Sequence, residues 1–323
     1  MGNEVLRIGS RGSELALWQA KWVQRKLMET HRGLQVEITI IKTKGDKILD
    51  SPLSKIGDKG LFTREIENAL LNNEIDLAVH SLKDLPTELP EGLTIGAICE
   101  REDVRDVFIP HPKNQIRKLL DQPTGSKIAT GSLRRRSQLL NLRPDLQVID
   151  IRGNLNTRMK KLEESDWAGM LLACAGVTRL GWSRLIGDIL DATTMLPAVG
   201  QGALGIEIRA GDGRVSKAVS GLHHSPTAHA ALAERSLLRR LEGGCQVPIG
   251  TYGRIESGSL VLDAIVGSID GRKVVRGKIH GSPSEAETLG KKLAEQLLSA
   301  GAGEILQQIR GESTETGKMV IEV

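Results

Sequence analysis

Apolar and polar residues follow each other along the first part of the chain in two periods, one typical of strands and one typical of helices. Val36, Ile38 and Ile40 repeat every second residue, which indicates a half-buried strand. Trp18 and Trp22 repeat at helical spacing on one face. The elements predicted up to residue 80 are, in order, the strand Val5–Ile8, the helix Glu14–Glu29, the strand around Val36–Ile40, the helix Leu61–Leu71 and the strand Leu77–His80.

The same alternation of strand and helix returns after a charged stretch, Glu100–Asp106, and then gives way to a different arrangement. The second block is predicted as Lys127–Thr130 (strand), Ser132–Asn141 (helix), Gln147–Ile151 (strand), Leu155–Glu164 (helix) and Met170–Ala173 (strand). The third has a helix from Pro226 to about Glu242, strands near Val247–Arg254, Leu260–Ser268 and Lys273–Ile279, and a helix at about Ser284–Ser299. This order predicts an α/β fold with largely parallel strands, followed by a smaller α+β part.

Length and composition narrow the class of protein. A chain of 323 residues is too long for one ordinary core, so two or three domains are expected. With 39% hydrophobic and 26% charged residues the chain is expected to fold rather than stay disordered. The net charge of +4 does not indicate a nucleic-acid partner, and scarce aromatic residues argue against base stacking.

Three cysteines are far apart in sequence: Cys99, Cys174 and Cys245. Their odd number and the absence of a CxxC pair disfavour a disulfide framework or a structural zinc site, and favour a reducing compartment. The first residues lack the apolar core of a signal peptide, and no apolar run reaches membrane-spanning length. We therefore expect a cytoplasmic protein.

Arginines follow the predicted strands at several carboxyl ends, where ligands of α/β proteins bind. The guanidinium group suits carboxylates or phosphates because its planar fork donates to two oxygens at once. Each arginine alone is equally explained as solvated surface, but several at corresponding positions predict a crevice for a small polyanion. The arginines concerned are Arg11, Arg134, Arg135, Arg152, Arg158 and Arg179.

Hydroxyl side chains stand where two of the predicted helices begin. Ser13 precedes the first helix, and Thr130 and Ser132 precede the helix after Lys127–Thr130. A helix N-terminus attracts anions through its unpaired N–H groups and its dipole. Ser13 and Ser132 are also ordinary N-cap residues, a role that does not exclude ligand contact.

Asp84 is a lone acid at the end of the segment VHSLKDLP. Pro86 prevents the turn from continuing as a helix, so we expect the carboxylate at the mouth of the crevice. There it could stabilise a developing cation or move a proton. A salt bridge with Lys83 or a nearby arginine explains it equally well.

Two other motifs are set aside. The segment Gly200–Gly205 matches GxGxxG, but a strand follows it where a dinucleotide site requires a helix. It is interpreted as a chain crossing that needs close backbone approach or positive φ. His223, His224 and His229 lack the further ligands and the regular spacing of a metal site, so no metal is expected.

Cys245 lies in the segment LEGGCQVP, after two glycines that end a predicted helix and before Pro248. No apolar residue is close to it until Val247, so it is not a typical core cysteine. No general base is visible nearby, which disfavours a protease-like nucleophile and favours a covalent tether. Cys99 and Cys174 lie in apolar segments and are expected in the core.

The chain resembles the porphobilinogen deaminase (hydroxymethylbilane synthase) family nearly from end to end. The resemblance rests on the segments LRIGSRGSELALWQA, KGLFTREIENALL, VHSLKDLP, IATGSLRRRSQL, IRGNLNTR, LACAGVTRL, LPAVGQGALGIE and LEGGCQVPIG. It implies two α/β domains similar to periplasmic binding proteins, joined by a double chain crossing near Glu100–Asp106 and Met195–Gly200, and a smaller α+β domain. The implied boundaries are 1–101 with 199–219, 104–196, and 222–323.

The resemblance also implies a reaction. In the family, four porphobilinogen molecules are joined head to tail, with loss of ammonia, into hydroxymethylbilane, a tetrapyrrole precursor. The primer is a dipyrromethane cofactor, held by a thioether to the cysteine that matches Cys245. Asp84 would stabilise the cationic pyrrole in each cycle. The acetate and propionate groups would be held by residues matched through the motifs, namely Arg11, Ser13, Lys59, Ser81, Lys83, Thr130, Ser132, Arg134, Arg135, Arg152, Gly153, Arg158 and Arg179.

Two positions depart from the common family pattern. Glu14 stands where many members have proline, and Gly131 stands where serine is frequent, which could remove one hydroxyl contact. By resemblance the protein is a monomer whose partner is porphobilinogen, with neither nucleic acid nor membrane involved. A solute-binding protein for a dicarboxylate is the main alternative, but it leaves the GGC segment and the third domain unexplained. A nucleic-acid binder would use Arg134–Arg136, yet no known reading motif is present.

Overall fold

The computed structural model describes residues 5–47, 60, 62–241 and 247–318. The strands it contains form three sheets, two of five strands and one of three. Each sheet has its own hydrophobic core, and the cores are formed by separate groups of buried residues. The fold therefore has the two larger α/β parts and the smaller α+β part that the periodicity predicts.

The first sheet has the strand order β2-β1-β3-β10-β4. Its strands are β1 (Val5–Ser10), β2 (Gln35–Ile40), β3 (Leu77–Ser81), β4 (Leu93–Ile98) and β10 (Leu204–Arg209). The helices of this part are α1 (Glu14–Thr30), α2 (Lys44–Lys47), α3 (Arg64–Leu71) and α7 (Gly213–Val219). Buried faces of α1 and of the sheet make the core, with Val23 and Leu27 packed against Ile8, Val79 and Ile206.

The second sheet repeats this arrangement with the order β7-β6-β8-β5-β9. Its strands are β5 (Asp106–Pro110), β6 (Lys127–Ala129), β7 (Gln147–Ile149), β8 (Gly169–Ala173) and β9 (Asp188–Ile189), and its helices are α4 (Leu133–Leu142), α5 (Leu155–Glu163) and α6 (Cys174–Arg179). Cys99 and Cys174 are buried in the first and second cores respectively, as expected.

One strand in each large sheet is antiparallel to its neighbours, and both belong to the chain that has just crossed from the other sheet. The first residue of β5, Asp106, pairs with Ala173 at the end of β8, and the first residue of β10, Leu204, pairs with Ser81 at the end of β3. Each crossing therefore joins the carboxyl edges of the two sheets. The expectation of largely parallel strands holds, apart from β5 and β10.

The second crossing explains the glycines of the GxGxxG-like segment. Gly200 and Gly202 have φ angles of 70° and 91°, a region that favours glycine. A Cβ atom on Gly202 would lie 2.4 Å from the carbonyl oxygen of Glu102. The two crossings thus touch backbone to backbone, and the interpretation of this segment as a crossing is confirmed.

The third sheet is an antiparallel meander of β11 (Ile249–Glu256), β12 (Ser259–Gly267) and β13 (Val274–Gly281). Helices α8 (Ser225–Arg240) and α9 (Ala286–Leu297) pack on it, and α10 (Gly303–Lys318) follows a turn in which Gly301 has a φ of 103°. The domain boundaries stay a prediction, although the strands of the three sheets come from the three predicted stretches of chain.

A buried ion pair ties α8 to the crossings. Arg101 donates to the two carboxylate oxygens of Glu234 at 2.7 and 3.2 Å. Glu234 also accepts from the backbone N–H groups of Gly200 and Gly253, both at 2.7 Å.

Among the described residues, no helix is long and apolar enough to cross a membrane.

Candidate active site

A short 3-10 turn at Leu82–Asp84, called the Asp84 turn below, follows β3 directly. The N–H of Leu82 donates to the carbonyl of Ala203 at 3.0 Å, which ties the turn to the second crossing. Leu82 and Leu85 are buried in one apolar cluster, and Asp84 is exposed. The spacing of the two leucines therefore turns the carboxylate of Asp84 outward, at the carboxyl edge of the first sheet.

A cleft of about 450 Å³, open to solvent, lies at this edge. Arg11, Ser13, Ser81 and Asp84 line it, as the sequence predicts. The Oγ of Ser13 accepts from the N–H of Ala16 at 3.3 Å and so caps α1. The guanidinium of Arg11 lies 4.3 Å from the centre of the Phe62 ring, which combines a cation with an apolar face in the wall of the cleft.

The carboxyl edge of the second sheet carries the other predicted hydroxyls. Ser132 caps α4, since its Oγ accepts from the N–H of Arg135 at 3.4 Å. The Oγ1 of Thr130 accepts from the N–H of Ser132 at 3.2 Å. A Cβ atom on Gly131 would lie 2.4 Å from the carbonyl oxygen of Ile151, so here glycine permits a close approach between two strand ends.

Arg152, Gly153 and Arg158 lie together beside this edge. The Nε of Arg158 donates to the carbonyl of Gly153 at 2.8 Å, and Gly153 has a φ of 112°. The Nε of Arg152 lies 3.5 Å from a carboxylate oxygen of Asp150 and makes no hydrogen bond with the described residues. Burial, and then the charges of Arg135 and Arg152, lower the pKa of Arg158 to about 10, so it stays cationic at neutral pH.

Arg134 and Arg135 differ from these two because both are buried against Asp106, the first residue of β5. Arg134 donates to the two oxygens of Asp106 at 2.6 and 3.3 Å and to the carbonyl of Leu196 at 2.6 Å. Arg135 donates to Asp106 at 2.8 Å and to the carbonyl of Leu171 at 3.2 Å. Their predicted contact with a ligand stays a prediction, whereas their bonds within the protein are an additional role.

Asp106 is the centre of this network. Burial by itself raises the pKa of Asp106, but the charges and hydrogen bonds of Arg134 and Arg135 outweigh it and hold the pKa well below its usual range. Gln201, in the second crossing, donates to Asp106 at 2.8 Å and to the carbonyl of Val104 at 2.7 Å. One carboxylate therefore connects α4, β5 and both crossings.

The pKa of Lys83, a residue of the Asp84 turn, depends on charges from both large sheets. Burial, opposed by the charge of Asp84 and reinforced by that of Arg135, lowers the pKa of Lys83 to about 8. The charge of Asp84 also acts on the pKa of Arg158. The charged groups of the Asp84 turn and the arginines of the second sheet are therefore near enough to influence one another.

Arg179, at the end of α6, contacts the second crossing. It donates to the carbonyl of Gly202 at 2.7 Å. Its guanidinium also lies 5.7 Å from the centre of a Trp18 ring, on α1. Arg179 thus joins the second α/β part to the first.

Two predicted site residues, Cys245 and Lys59, lie outside the described residues. His223 and His224 have local roles in the structure. The N–H of Ile98 donates to the Nδ1 of His223 at 3.4 Å, and the Nδ1 of His224 lies 2.8 Å from the Oγ1 of Thr227.

Several residues that line the site, or that bind residues of the site, were not identified from the sequence. Asp106 belongs to the charged stretch before β5, and its only signal is that it precedes the apolar run Val107–Ile109. Gln19 was also missed; its Nε2 donates to the Oγ of Ser81 at 2.9 Å. Gln201 and Phe62 carried no signal of their own. A polar residue at the start of a buried strand, in a chain rich in arginine, is the pattern that could have indicated Asp106.

The fold and the cleft define an α/β protein of two larger parts and one smaller part, with arginines and the exposed carboxylate of Asp84 at the carboxyl edges of the two larger sheets. The sequence model described as "Porphobilinogen deaminase, dipyromethane cofactor binding domain" matches residues 6–217, and the one described as "Porphobilinogen deaminase, C-terminal domain" matches residues 228–299. The chain belongs to the porphobilinogen deaminase family, and the resemblance found in the motifs is confirmed.

Curated relatives cover the chain almost completely. A porphobilinogen deaminase of Carboxydothermus hydrogenoformans is 53% identical over 315 residues, which is 98% of this chain and 100% of that protein. One of Chloroherpeton thalassium is 54% identical over 314 residues, 96% of this chain and 99% of that protein. Among solved structures, the periplasmic aliphatic sulphonate binding protein SsuA from Escherichia coli is similar at 15% identity and a TM-score of 0.40, covering 74% of this chain and 71% of that one.

Proposed function

We propose that this chain is the transferase that joins four porphobilinogen molecules head to tail, with release of ammonia, into hydroxymethylbilane. The observation that carries the proposal is the cleft lined by Arg11, Ser13, Ser81 and Asp84, in a chain of this family. The charge of Asp84 in this cleft also acts on Lys83 and Arg158. A growing chain of pyrroles is a polycarboxylate, so it needs several cationic partners around one anionic group. The cleft offers that combination.

The residues present fit a dipyrromethane, whose acetate and propionate groups require donors. The Nε–H groups of Arg135 and Arg152 are buried without a hydrogen-bond partner among the described residues. Unpaired donors of this kind are costly unless a ligand or water satisfies them. When bound, the dipyrromethane supplies the free pyrrole carbon to which substrate is joined, and the thiol of Cys245 holds it through a thioether.

The side chains of the cleft have different roles in binding and in the reaction. Arg11, Arg152, Arg158 and Lys83 neutralise the substrate carboxylates, with Ser13, Ser81, Thr130 and Ser132 adding hydroxyl groups. Asp84 accepts a hydrogen bond from the pyrrole N–H of the substrate and stabilises the positive charge that develops there as ammonia leaves. Such a group acts best when it is held in place before the reaction, and the Asp84 turn is held by the buried Leu82 and Leu85.

Lys59, Gly153, Arg134, Arg135 and Arg179 complete the proposed set. Gly153 permits the left-handed turn that exposes its neighbours, and Arg179 steadies the cleft against the crossing. We place the protein in the cytoplasm, where Cys99 and Cys174 stay reduced, and expect it to act as a monomer on porphobilinogen.

Intact-mass spectrometry of the purified protein tests the tether. We expect a mass increase of two pyrrole units in the wild type and none in Cys245→Ser. A fully active protein without the adduct would refute the proposal. A protein without adduct that binds dicarboxylates reversibly would instead indicate a solute-binding protein.

Asp84→Asn tests the role of the carboxylate separately. The substitution keeps the size of the side chain and removes its charge, so we expect the adduct to remain while kcat falls at least ~100-fold, in the range found for removal of one electrostatic partner of a transition state. Steady-state kinetics and intact mass on the same preparation measure both. A kcat near that of the wild type would remove Asp84 from the mechanism.

A further inference from the structure

Helix α8 of the third part contacts the chain segment that leaves the Asp84 turn. Arg235 is buried, and its guanidinium donates to the carbonyl oxygens of Leu85 at 3.2 Å and of Pro86 at 2.5 Å. One helical turn later, Arg239 donates to the carbonyl of Thr87 at 2.7 Å. Two arginines of one helix therefore bind three successive carbonyl groups directly after Asp84.

The contact is close because small side chains separate helix and turn. Ala231 is fully buried in the same cluster as Leu82 and Leu85, and Ala228 packs against that cluster. The segment after Asp84 is neither helix nor strand, so its carbonyl groups depend on partners outside regular structure. A buried guanidinium that donates to two of them fixes both the position of the segment and its distance from the helix axis.

In the sequence, the same helix comes shortly before the cysteine that carries the cofactor in our proposed function. Helix α8 ends at Arg240, and only four residues of sequence separate Arg240 from Cys245. In our proposed function the attachment point of the product therefore follows α8 closely in sequence. The turn that carries Asp84 is bound by the same helix.

We propose that Arg235 is a positioning residue for the condensation, which holds the Asp84 turn against α8 and thereby sets the position of the Asp84 carboxylate. Arg235 does not touch the substrate. It acts through the backbone of Leu85 and Pro86. The inference rests on the proposed function, because the position of Asp84 affects the rate only if its carboxylate acts in the condensation.

Three variants of the full-length holoenzyme test the proposal. Arg235→Met keeps the apolar stem and removes both hydrogen bonds. Arg235→Lys keeps the charge, but an ammonium is a compact point charge without the planar fork that reaches two carbonyls. Arg240→Met is the matched control, since Arg240 is half-exposed, lies on the same helix and pairs with Glu295 of α9 instead of the turn.

We expect kcat to fall at least ~10-fold in Arg235→Met with KM within ~2-fold of the wild type, the effect of about two lost charge-assisted hydrogen bonds on positioning. Arg235→Lys should recover part of kcat, and Arg240→Met should be unchanged. Intact mass should show the adduct in all three, with partly elongated chains accumulating on Arg235→Met. Amide hydrogen exchange of the peptide covering residues 82–88 should be faster in Arg235→Met and unchanged in Arg240→Met.

Two results would overturn the proposal. A lowered melting temperature in Arg235→Met with normal kcat and normal exchange at 82–88 would make Arg235 a packing residue only. If Arg235→Met does not fold, a Lys variant with wild-type kcat and exchange would have the same meaning. A wild-type protein without the pyrrole adduct would instead refute the proposed function, which this design distinguishes from failure of the role of Arg235.

Discussion

Two pairs of arginines at the same edge of the second sheet are used differently. Arg134 and Arg135 are 4% and 5% exposed and share the buried carboxylate of Asp106. Arg152 keeps 20% of its side chain exposed, beside the half-exposed Asp150. In the sequence, Arg134, Arg135, Arg152 and Arg158 all follow a predicted strand, and nothing there distinguishes them. The difference shows that position at a strand end indicates an arginine's neighbourhood but not whether its charge is available to a ligand.

Buried and exposed arginines contribute differently to the stability of the fold. Buried guanidinium groups are costly unless a carboxylate and hydrogen bonds compensate them, and breaking such a group is strongly destabilising. An exposed ion pair contributes little to stability because water and salt screen it. Arg134 and Arg135 should therefore matter first for folding, and Arg152 first for binding.

The largest expected effect is that of Asp106→Asn. The substitution leaves two buried arginines without their counter-charge, so the free energy of unfolding at pH 7 should fall by about 3–5 kcal/mol. Urea unfolding followed by circular dichroism measures it. The control Asp150→Asn, beside Arg152, should change the same quantity by less than about 1 kcal/mol. Equal losses in the two variants would abolish the distinction between the two pairs.

The pH dependence of the free energy of unfolding provides a second test of the role of Asp106. Because the folded pKa of Asp106 is lowered, its stabilising contribution is complete above the ordinary aspartate pKa of about 4 and is lost as the pH falls below that value. The difference in stability between the wild type and Asp106→Asn should therefore be constant from pH 8 to pH 5 and shrink in more acidic solution. A difference that shrank towards alkaline pH would contradict the assignment.

The next effect in size is expected for Arg152→Ala. Loss of one charge-assisted hydrogen bond to a carboxylate corresponds to roughly 1.5–3 kcal/mol, so kcat/KM should fall about 10- to 100-fold while the free energy of unfolding changes by less than about 1 kcal/mol. Steady-state kinetics and urea unfolding test the two halves. Arg117→Ala is the control, since this arginine of the same part donates to the carbonyl of Ile186. Large destabilisation by Arg152→Ala would place Arg152 with the buried pair.

The smallest effect concerns Lys83, a residue of the Asp84 turn whose pKa is also affected by the charge of Arg135. Its pKa of about 8 means that the ammonium is charged at pH 7 and loses its charge as the pH rises above 8. We expect KM for porphobilinogen to rise severalfold, roughly 3- to 10-fold, between pH 7 and pH 9, as one cationic partner is lost. In Lys83→Arg, which stays charged, the rise should disappear. An identical profile in both proteins would show that Lys83 does not bind carboxylate.

Local sequence predicted much of the fold and part of the site because those features depend on neighbours along the chain. Ser13 and Ser132 were recognised as N-caps, and both cap their helices. The strand that was expected at the GxGxxG-like segment is β10. Strands β4 and β5 were missed, since Gly96 interrupts the first and a run of charges precedes the second.

The amino-acid sequence by itself determined the order of strands and helices, the positions of the caps and turn glycines, and the presence of arginines around Asp84. Only the tertiary structure decided which arginines pair with a buried carboxylate, because the contact of Arg134 with Asp106 spans 28 residues and depends on β5 running antiparallel. The contact of Arg235 with Leu85 spans 150 residues. Periodicity reports the environment of a residue within a few turns of chain, whereas burial of a charge and its partner are set by elements that meet only on folding.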